Sequence, residues 1–179
     1  MEEELIERAR QGDIAAFESL ISKYQADAYN FACHFTGNRD DAYDITQEAL
    51  IKVFKALPKF KGGCAFSTWL YRIVYNTYLD NKKKAYNRHK VSEVPLDDTR
   101  LVEEQPGEPG ISADSVKSAL ALLPEKFRSI ITLYHVETMS YSEISRVTGL
   151  SQGTVMSRLN RARKKLKKIF LEKGIFNRA

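Results

Sequence analysis

Between Ile14 and Tyr24 the apolar residues fall at positions 14, 17, 20, 21 and 24, the three-and-four spacing of a helix with one buried face. Asp13 is placed to cap this helix and Gly37 to end it. The same rhythm predicts a short helix over Glu3 to Arg10 that stops at Gly12, and a longer one from about Arg39 to Leu57, halted by Pro58. In the latter, Ile45, Ala49 and Val53 face inward, while Asp41, Asp44, Gln47, Glu48 and Lys52 share the outer face. After the loop FKGGCA, a further helix is expected from Ser67 to about Lys84. On it, Phe66, Leu70, Ile73 and Thr77 form one narrow core stripe. Trp69, Arg72, Asn76 and Lys83 form a second stripe, and Tyr71, Tyr75, Tyr78 and Lys82 a third that faces away. No segment alternates with a period of two and none repeats, so the chain reads as all-α.

The periodicity then breaks. The stretch VSEVPLDDTRLVEEQPGEPGIS holds three prolines and six acidic residues with few large apolar ones. It lacks the material for a core and reads as a flexible acidic tether. The expected layout is therefore two small helical domains, 1–85 and 113–179, joined by a linker over 86–112.

Helical spacing resumes near Ala113, and Pro124 suits the first position of a helix through EKFRSIITLYHVE. Ser140 and Glu143 form a capping box for a short helix whose apolar face holds Ile144 and Val147. Gly149 permits a sharp turn, Leu150 packs into the angle, and Ser151 caps a second helix with Val155, Leu159, Ala162 and Leu166 on one side. This is the pattern of a helix-turn-helix, whose second helix enters the DNA major groove.

Charge sharpens the picture. The net +5 divides into zero over Met1 to Lys84, −3 over Ala85 to Ser112 and +8 over Ala113 to Ala179. A concentrated positive charge is the footprint of a polyanion binder. Gln152, Thr154, Ser157 and Arg158 stand at the N-terminal part of the second helix, placed to reach base edges. Arg161, Arg163, Lys164, Lys165, Lys167 and Lys168 suit phosphates. Six neutralised phosphates would give log K against log salt a slope of roughly −5. A hairpin with a solvated basic face is the plainer alternative, but the capped turn has the length a DNA reader needs.

Aromatic residues divide the other way, with fourteen of nineteen before residue 87. Rings, an amide and lysines on the helix after FKGGCA are the parts of a single-strand binding surface. Gly62 and Gly63 let the preceding loop close over an unstacked base. Phe60 and Asn76 are read as nucleic-acid contacts, Trp69 as packed or half-buried. The acidic outer face around Asp44, from spacing alone, reads as solvated.

Several classes drop out. There is no CxxC or HExxH spacing, and Cys33 and Cys64 make no disulfide framework. Cys33 beside His34 is read as packing, and so is Cys64. The apolar runs fall short of the ~20 residues of a membrane span, and MEEELIER is no signal peptide. A cytoplasmic protein without metal, cofactor or catalytic residue is the simplest reading.

Both ends together resemble the extracytoplasmic-function (ECF) family of bacterial RNA polymerase sigma factors. The matching segments are GDIAAFESLISKY, DAYDITQEALIKVFKAL and FSTWLYRIVYNTYLDNKKK, then LPEKFRSIITLYHVETMSYSEI and GTVMSRLNRARKKL. The resemblance implies a promoter-specificity subunit that docks on core polymerase, recognises −10 and −35 elements and promotes strand opening. It gives the acidic helix a role: Asp41, Asp44, Gln47 and Glu48 would bind the clamp coiled coil of the β′ subunit. The implied −10 set is Phe60, Lys61, Ser67, Trp69, Arg72, Asn76, Lys82, Lys83 and Lys84, holding a base flipped from the melted strand. The implied −35 set is Gln152, Gly153, Thr154, Ser157, Arg158, Arg161, Arg163 and Lys164, reading duplex beside the β flap. Met156 departs from the basic residue that members often carry there. In the family the tether threads toward the polymerase active centre, and an anti-sigma factor commonly covers the polymerase-binding surfaces. The rival reading is a stand-alone helix-turn-helix regulator, which would need neither the DxxQE helix nor the aromatic loop.

Overall fold

The computed structural model describes residues 2–36, 38–91 and 113–174. The helices are α1 (Glu2–Arg10), α2 (Ile14–Cys33), α3 (Arg39–Ala56), α4 (Phe66–Val91), α5 (Ala113–Ala121), α6 (Glu125–His135), α7 (Tyr141–Thr148) and α8 (Gln152–Glu172), with a 3₁₀ turn over Leu57–Lys59. No strand occurs among the described residues, and the all-α expectation holds. The core of the tether, 92–112, lies outside the described residues, as does Gly37. The chain divides into two compact units: α1 to α4 belong to the first, and α5, α6, α8 and the opening of α7 to the second.

In the first unit the Asp13 carboxylate accepts from the Ala16 N–H (3.0 Å) and pairs with Arg8 (2.6 Å), so one side chain starts α2 and ties α1 to it. Asn38 starts α3 in the same way, accepting from the Asp41 N–H. Leu20, Phe31, Ala49, Val53, Phe66, Leu70 and Val74 are buried between α2, α3 and α4. Each large side chain removed from water there contributes about 1.5–3 kcal/mol.

The structure departs from the expected pattern in four places. α2 ends at Cys33, where His34 caps it in right-handed geometry. α4 begins at Phe66 and runs to Val91, because AYNRHKV contains no breaker; the expected boundary at residue 85 falls inside a helix. Pro124 is the N-cap of α6, with ψ 137°, and not its first helical residue. Ile14, expected in the core, is 62% exposed, since it opens α2 on the side away from its neighbours.

The second unit follows the capping logic closely. Ser140 and Glu143 make the capping box, each accepting from the other's backbone N–H. Gly149 takes φ 73°, a left-handed conformation that a Cβ disfavours. The Ser145 hydroxyl donates to the Leu150 carbonyl across 2.5 Å and braces the turn. Ser151 caps α8, whose Val155, Leu159 and Ala162 are buried. α8 packs on α6 and, less extensively, on α5.

Candidate nucleic-acid and partner surfaces

Three surfaces come from these elements. The first is the outer face of α3, where Asp41, Asp44 and Gln47 are exposed. Glu48 is half-buried: Asn81 of α4 donates to its carboxylate at 2.9 Å, and Lys52 and Lys84 approach at 3.0 and 3.9 Å. The Asn81 hydrogen bond, followed by Lys52, holds its pKa below the ordinary carboxylate value. Tyr43, Ile51 and Phe54 are also exposed on α3, Tyr43 at 58%. Sequence reading missed these three because helical spacing marks an apolar residue as core. An acidic and amide face interleaved with exposed rings is the composition of a protein-binding surface.

The second surface is the loop after the 3₁₀ turn with the start of α4. The stripe Tyr71, Tyr75, Tyr78 and Lys82 does not face away as a unit. Tyr75 and Tyr78 are buried, their rings 5.4 and 5.7 Å from Phe35. Tyr71 stacks on Phe31 at 4.6 Å. Ile73 is only half-buried, and Val74 takes its core place. The narrow-stripe expectation assumed one packing partner, but α4 packs on both α2 and α3, so its buried arc is wide.

Phe60, read as a nucleic-acid contact, is 7% exposed and lies 4.8 Å from Trp69 and 6.0 Å from Phe66, centroid to centroid. Trp69 is half-buried, as expected. Lys61, Arg72, Asn76, Lys82, Lys83 and Lys84 are exposed, and Ser67 is intermediate. Arg72, Asn76 and Lys83 thus share an open face of α4, about one, two and four turns along the helix from Trp69. Phe60, Lys61, Gly62, Cys64, Ala65 and Phe66 also line a cavity of about 330 Å³, whose other wall comes from α1.

The third surface is α8. Gln152, Gly153, Ser157, Arg161 and Lys164 are exposed, with Thr154 and Arg158 half-buried. The hydroxyls of Ser151 and Thr154 lie 2.8 Å apart, and Ser157 donates to the Thr154 carbonyl. Arg163 differs from its neighbours. Its guanidinium sits 5.1 Å over the Tyr134 ring and donates to His135 Nε2 at 3.4 Å, both on α6. Burial, with a further contribution from Arg163, pushes the His135 pKa below the ordinary value. Met156 is exposed at the position where a basic residue was expected.

Among the described residues no group of His, Cys, Asp or Glu is arranged to hold a metal, and no helix is long and apolar enough to cross a membrane.

Comparison with known proteins agrees with this geometry. Residues 20–88 match the family model for sigma-70 region 2, and residues 113–166 that for sigma-70, region 4. The RNA polymerase sigma-H factor of Pseudomonas aeruginosa is 35% identical, aligned over 93% of this chain and 92% of its own. The ECF RNA polymerase sigma-E factor of Escherichia coli is 33% identical over 89% of this chain and 88% of its own. The sigma factor RpoE from Bartonella quintana, solved in complex with the anti-sigma factor NepR, shares the fold with a TM-score of 0.71 at 24% identity, covering 86% of this chain and 96% of that one. CnrH, solved in complex with the cytosolic domain of CnrY, gives 0.66 at 26% identity over 93% and 94%. Two matched regions in order, with near full-length relatives, place the chain: it belongs to the extracytoplasmic-function family of RNA polymerase sigma factors, promoter-specificity subunits and not enzymes.

Proposed function

We propose that the first unit carries two adjoining interfaces and the second unit one. Asp41, Asp44, Gln47 and Glu48 on α3 dock on the clamp coiled coil of the polymerase β′ subunit. Lys61, Ser67, Trp69, Arg72, Asn76, Lys82, Lys83 and Lys84 hold the single strand of the −10 element, with Phe60 as a wall of the base-capturing cavity. Gln152, Gly153, Thr154, Ser157 and Arg158 read the −35 duplex beside the β flap, and Arg161 and Lys164 fix its phosphates. Arg163, held on α6, supports α8 from behind. The functional domains are the expected 1–85, continued to Val91 by α4, and 113–179, with the tether spanning between promoter elements. The site of action is the cytoplasm, and an anti-sigma factor covers the α3 face when the protein is held inactive; the similar RpoE was solved in complex with the anti-sigma factor NepR, and CnrH with the cytosolic domain of CnrY.

The observation that carries this reading is the pairing of α3 and α4. The two helices pack together, one presenting exposed carboxylates and the other an exposed arginine, asparagine and lysines. A repressor needs only the second kind of face. Capturing an extruded base offsets unpairing and unstacking, which cost a few kcal/mol.

The test is transcription in a reconstituted system. Core polymerase with this protein and fragmented genomic DNA should give defined 5′ ends absent without it. Asp44→Ala with Glu48→Ala should abolish them while circular dichroism stays helical. Starts that persist in the double variant would sink the docking assignment.

A further inference from the structure

α4 continues past residue 85, where its sequence pattern was expected to end, and the added turn carries a ring. The other Phe, Trp and Tyr rings of α4 all pack. Phe66, Tyr75 and Tyr78 are buried, Tyr71 stacks on Phe31, and Trp69 is half-buried against Phe60. Tyr86 is 57% exposed and makes no ring contact or hydrogen bond with another described residue. A lone exposed tyrosine is ordinary, but the surroundings of this one are not. Lys82 and Lys83, one turn back, stand beside it on the helix surface, and both are exposed. Arg72 is exposed about four turns away and about 40° round the axis, on the same side of the helix. Asp80, the one acidic residue of α4, turns the other way and lies 3.8 Å from Lys52 on α3.

An open ring in a row of cations, with no carboxylate among them, has the composition of a single-strand binding surface. The cations follow the phosphates, and the ring takes the face of a base. Along the axis Tyr86 lies about 15 Å from Asn76, at ~1.5 Å per residue. A stacked strand covers that distance in ~4 nucleotides at ~3.4 Å each. The C-terminal end of α4 is also the end from which the chain runs on to the residues assigned to the −35 element, which lies upstream. We propose that Tyr86 is a stacking platform for an unpaired base of the promoter strand, about four nucleotides upstream of the base beside Asn76. Every base has a face to stack, so the contact adds affinity without choosing a sequence. This rests on the −10 reading above, which places the strand on α4 and gives Tyr86 no role.

The experiment uses holoenzyme reconstituted from core polymerase and the full chain. A strand is first selected by holoenzyme from a single-stranded DNA pool with a randomised centre. It is then remade with one 2-aminopurine, whose fluorescence is quenched by stacking, at each position in turn. The expected result is quenching on binding at a position about four nucleotides to the 5′ side of the one whose signal Asn76→Ala changes. Tyr86→Leu should remove that quenching and weaken binding roughly five- to thirtyfold, the lower part of the range for a base on a ring. Tyr86→Phe should keep both, since it retains the ring. Thermal unfolding of the free chain should be the same for all three, because the ring packs on nothing. Equal losses in Tyr86→Phe and Tyr86→Leu would overturn the stacking role. If Asn76→Ala weakens binding while Tyr86→Leu changes neither affinity nor quenching, the platform is wrong and the −10 reading stands. If no strand is enriched, or if both variants bind like wild type, the −10 reading fails and this inference with it.

Discussion

The Asn81 side chain donates to the Glu48 carboxylate across 2.9 Å, tying the acidic face of α3 to the cationic end of α4. Lys52 strengthens the joint, lying 3.0 Å from Glu48 and 3.1 Å from the buried Thr77 hydroxyl. Glu48 is therefore a structural acid as well as a candidate docking one, and replacing it alone confounds the two. Asn81→Ala separates them, because it removes the bond and keeps the charge. A net hydrogen bond of roughly 0.5–1.5 kcal/mol predicts a fall in Tm of ~2–12 °C for a domain of this size. Polymerase affinity should change far less than with Asp44→Ala. Equal losses of affinity in the two variants would contradict this division.

The same joint predicts a pH dependence. Asn81 and Lys52 lower the Glu48 pKa from 4.5, so the unfolded chain takes up the proton first as pH falls. The stabilisation is fully present above the unfolded value and lost as pH drops through the lower folded one. Melting curves of wild type and Asn81→Ala should differ at pH 7 and draw together near pH 3. A gap that stays constant across that range would assign the Asn81 effect to something other than the carboxylate.

Gly149 holds the helix-turn-helix in a left-handed conformation, φ 73°, with nothing within 4 Å of where a Cβ would stand. Substitution therefore strains only the backbone. Gly149→Ala should cost about 1–2 kcal/mol, and Gly149→Asn less, because asparagine tolerates this region. Thermal unfolding of the two variants checks the order. If alanine and asparagine cost the same, the turn is not limited by this dihedral.

What the sequence made legible was governed by local chemistry. Caps at Asp13, Ser140 and Ser151 and the glycine turn at 149 were all read correctly, because each is satisfied within a few residues. The buried arc of α4 was not. Tyr75 and Tyr78 look like surface residues on a helical wheel, and Phe35, in the turn after α2, packs against both. Phe60, expected to contact nucleic acid, is largely buried, with Trp69 and Phe66 packed against it, and spacing gives no sign of that burial. The α1 wall of the cavity left no trace in spacing, since it depends on α1 lying against a loop about fifty residues away in the chain. Arg163 sat in an unbroken basic run, and nothing in that run marks it as the residue that turns toward α6.

His135 and Arg163 make a second pH-sensitive contact. The imidazole is held below its ordinary pKa, so it is neutral at pH 7 and accepts from the guanidinium. The unfolded chain protonates first on acidification. The contribution to stability is thus present above the unfolded value of 6.5 and lost as pH falls through the lower folded value. Thermal unfolding between pH 7.5 and 5 should show a decline that His135→Gln flattens. An unchanged decline in that variant would remove His135 as its source.

The basic run of α8 should divide by salt titration of duplex binding. Arg161 and Lys164 are exposed on the side opposite Val155 and Leu159. Arg163 lies over Tyr134, and Lys165 stands 5.9 Å from the Phe127 ring centroid, so both lean toward α6. Each phosphate contact contributes about −0.9 to the slope of log K against log salt. Arg161→Ala and Lys164→Ala should each make the slope shallower by close to that amount, uniformly across DNA sequences. Arg163→Ala should leave the slope nearly unchanged and lower thermal stability instead, by ~0.5–1 kcal/mol for an exposed cation over a ring. Arg158→Ala, near the N-terminal end of the helix, should alter sequence preference more than slope, by ~1–3 kcal/mol against the preferred base. Equal slope changes for Arg161, Arg163 and Lys164 would mean that the run meets DNA as an undifferentiated patch, and that Arg163 leaves α6 when it binds.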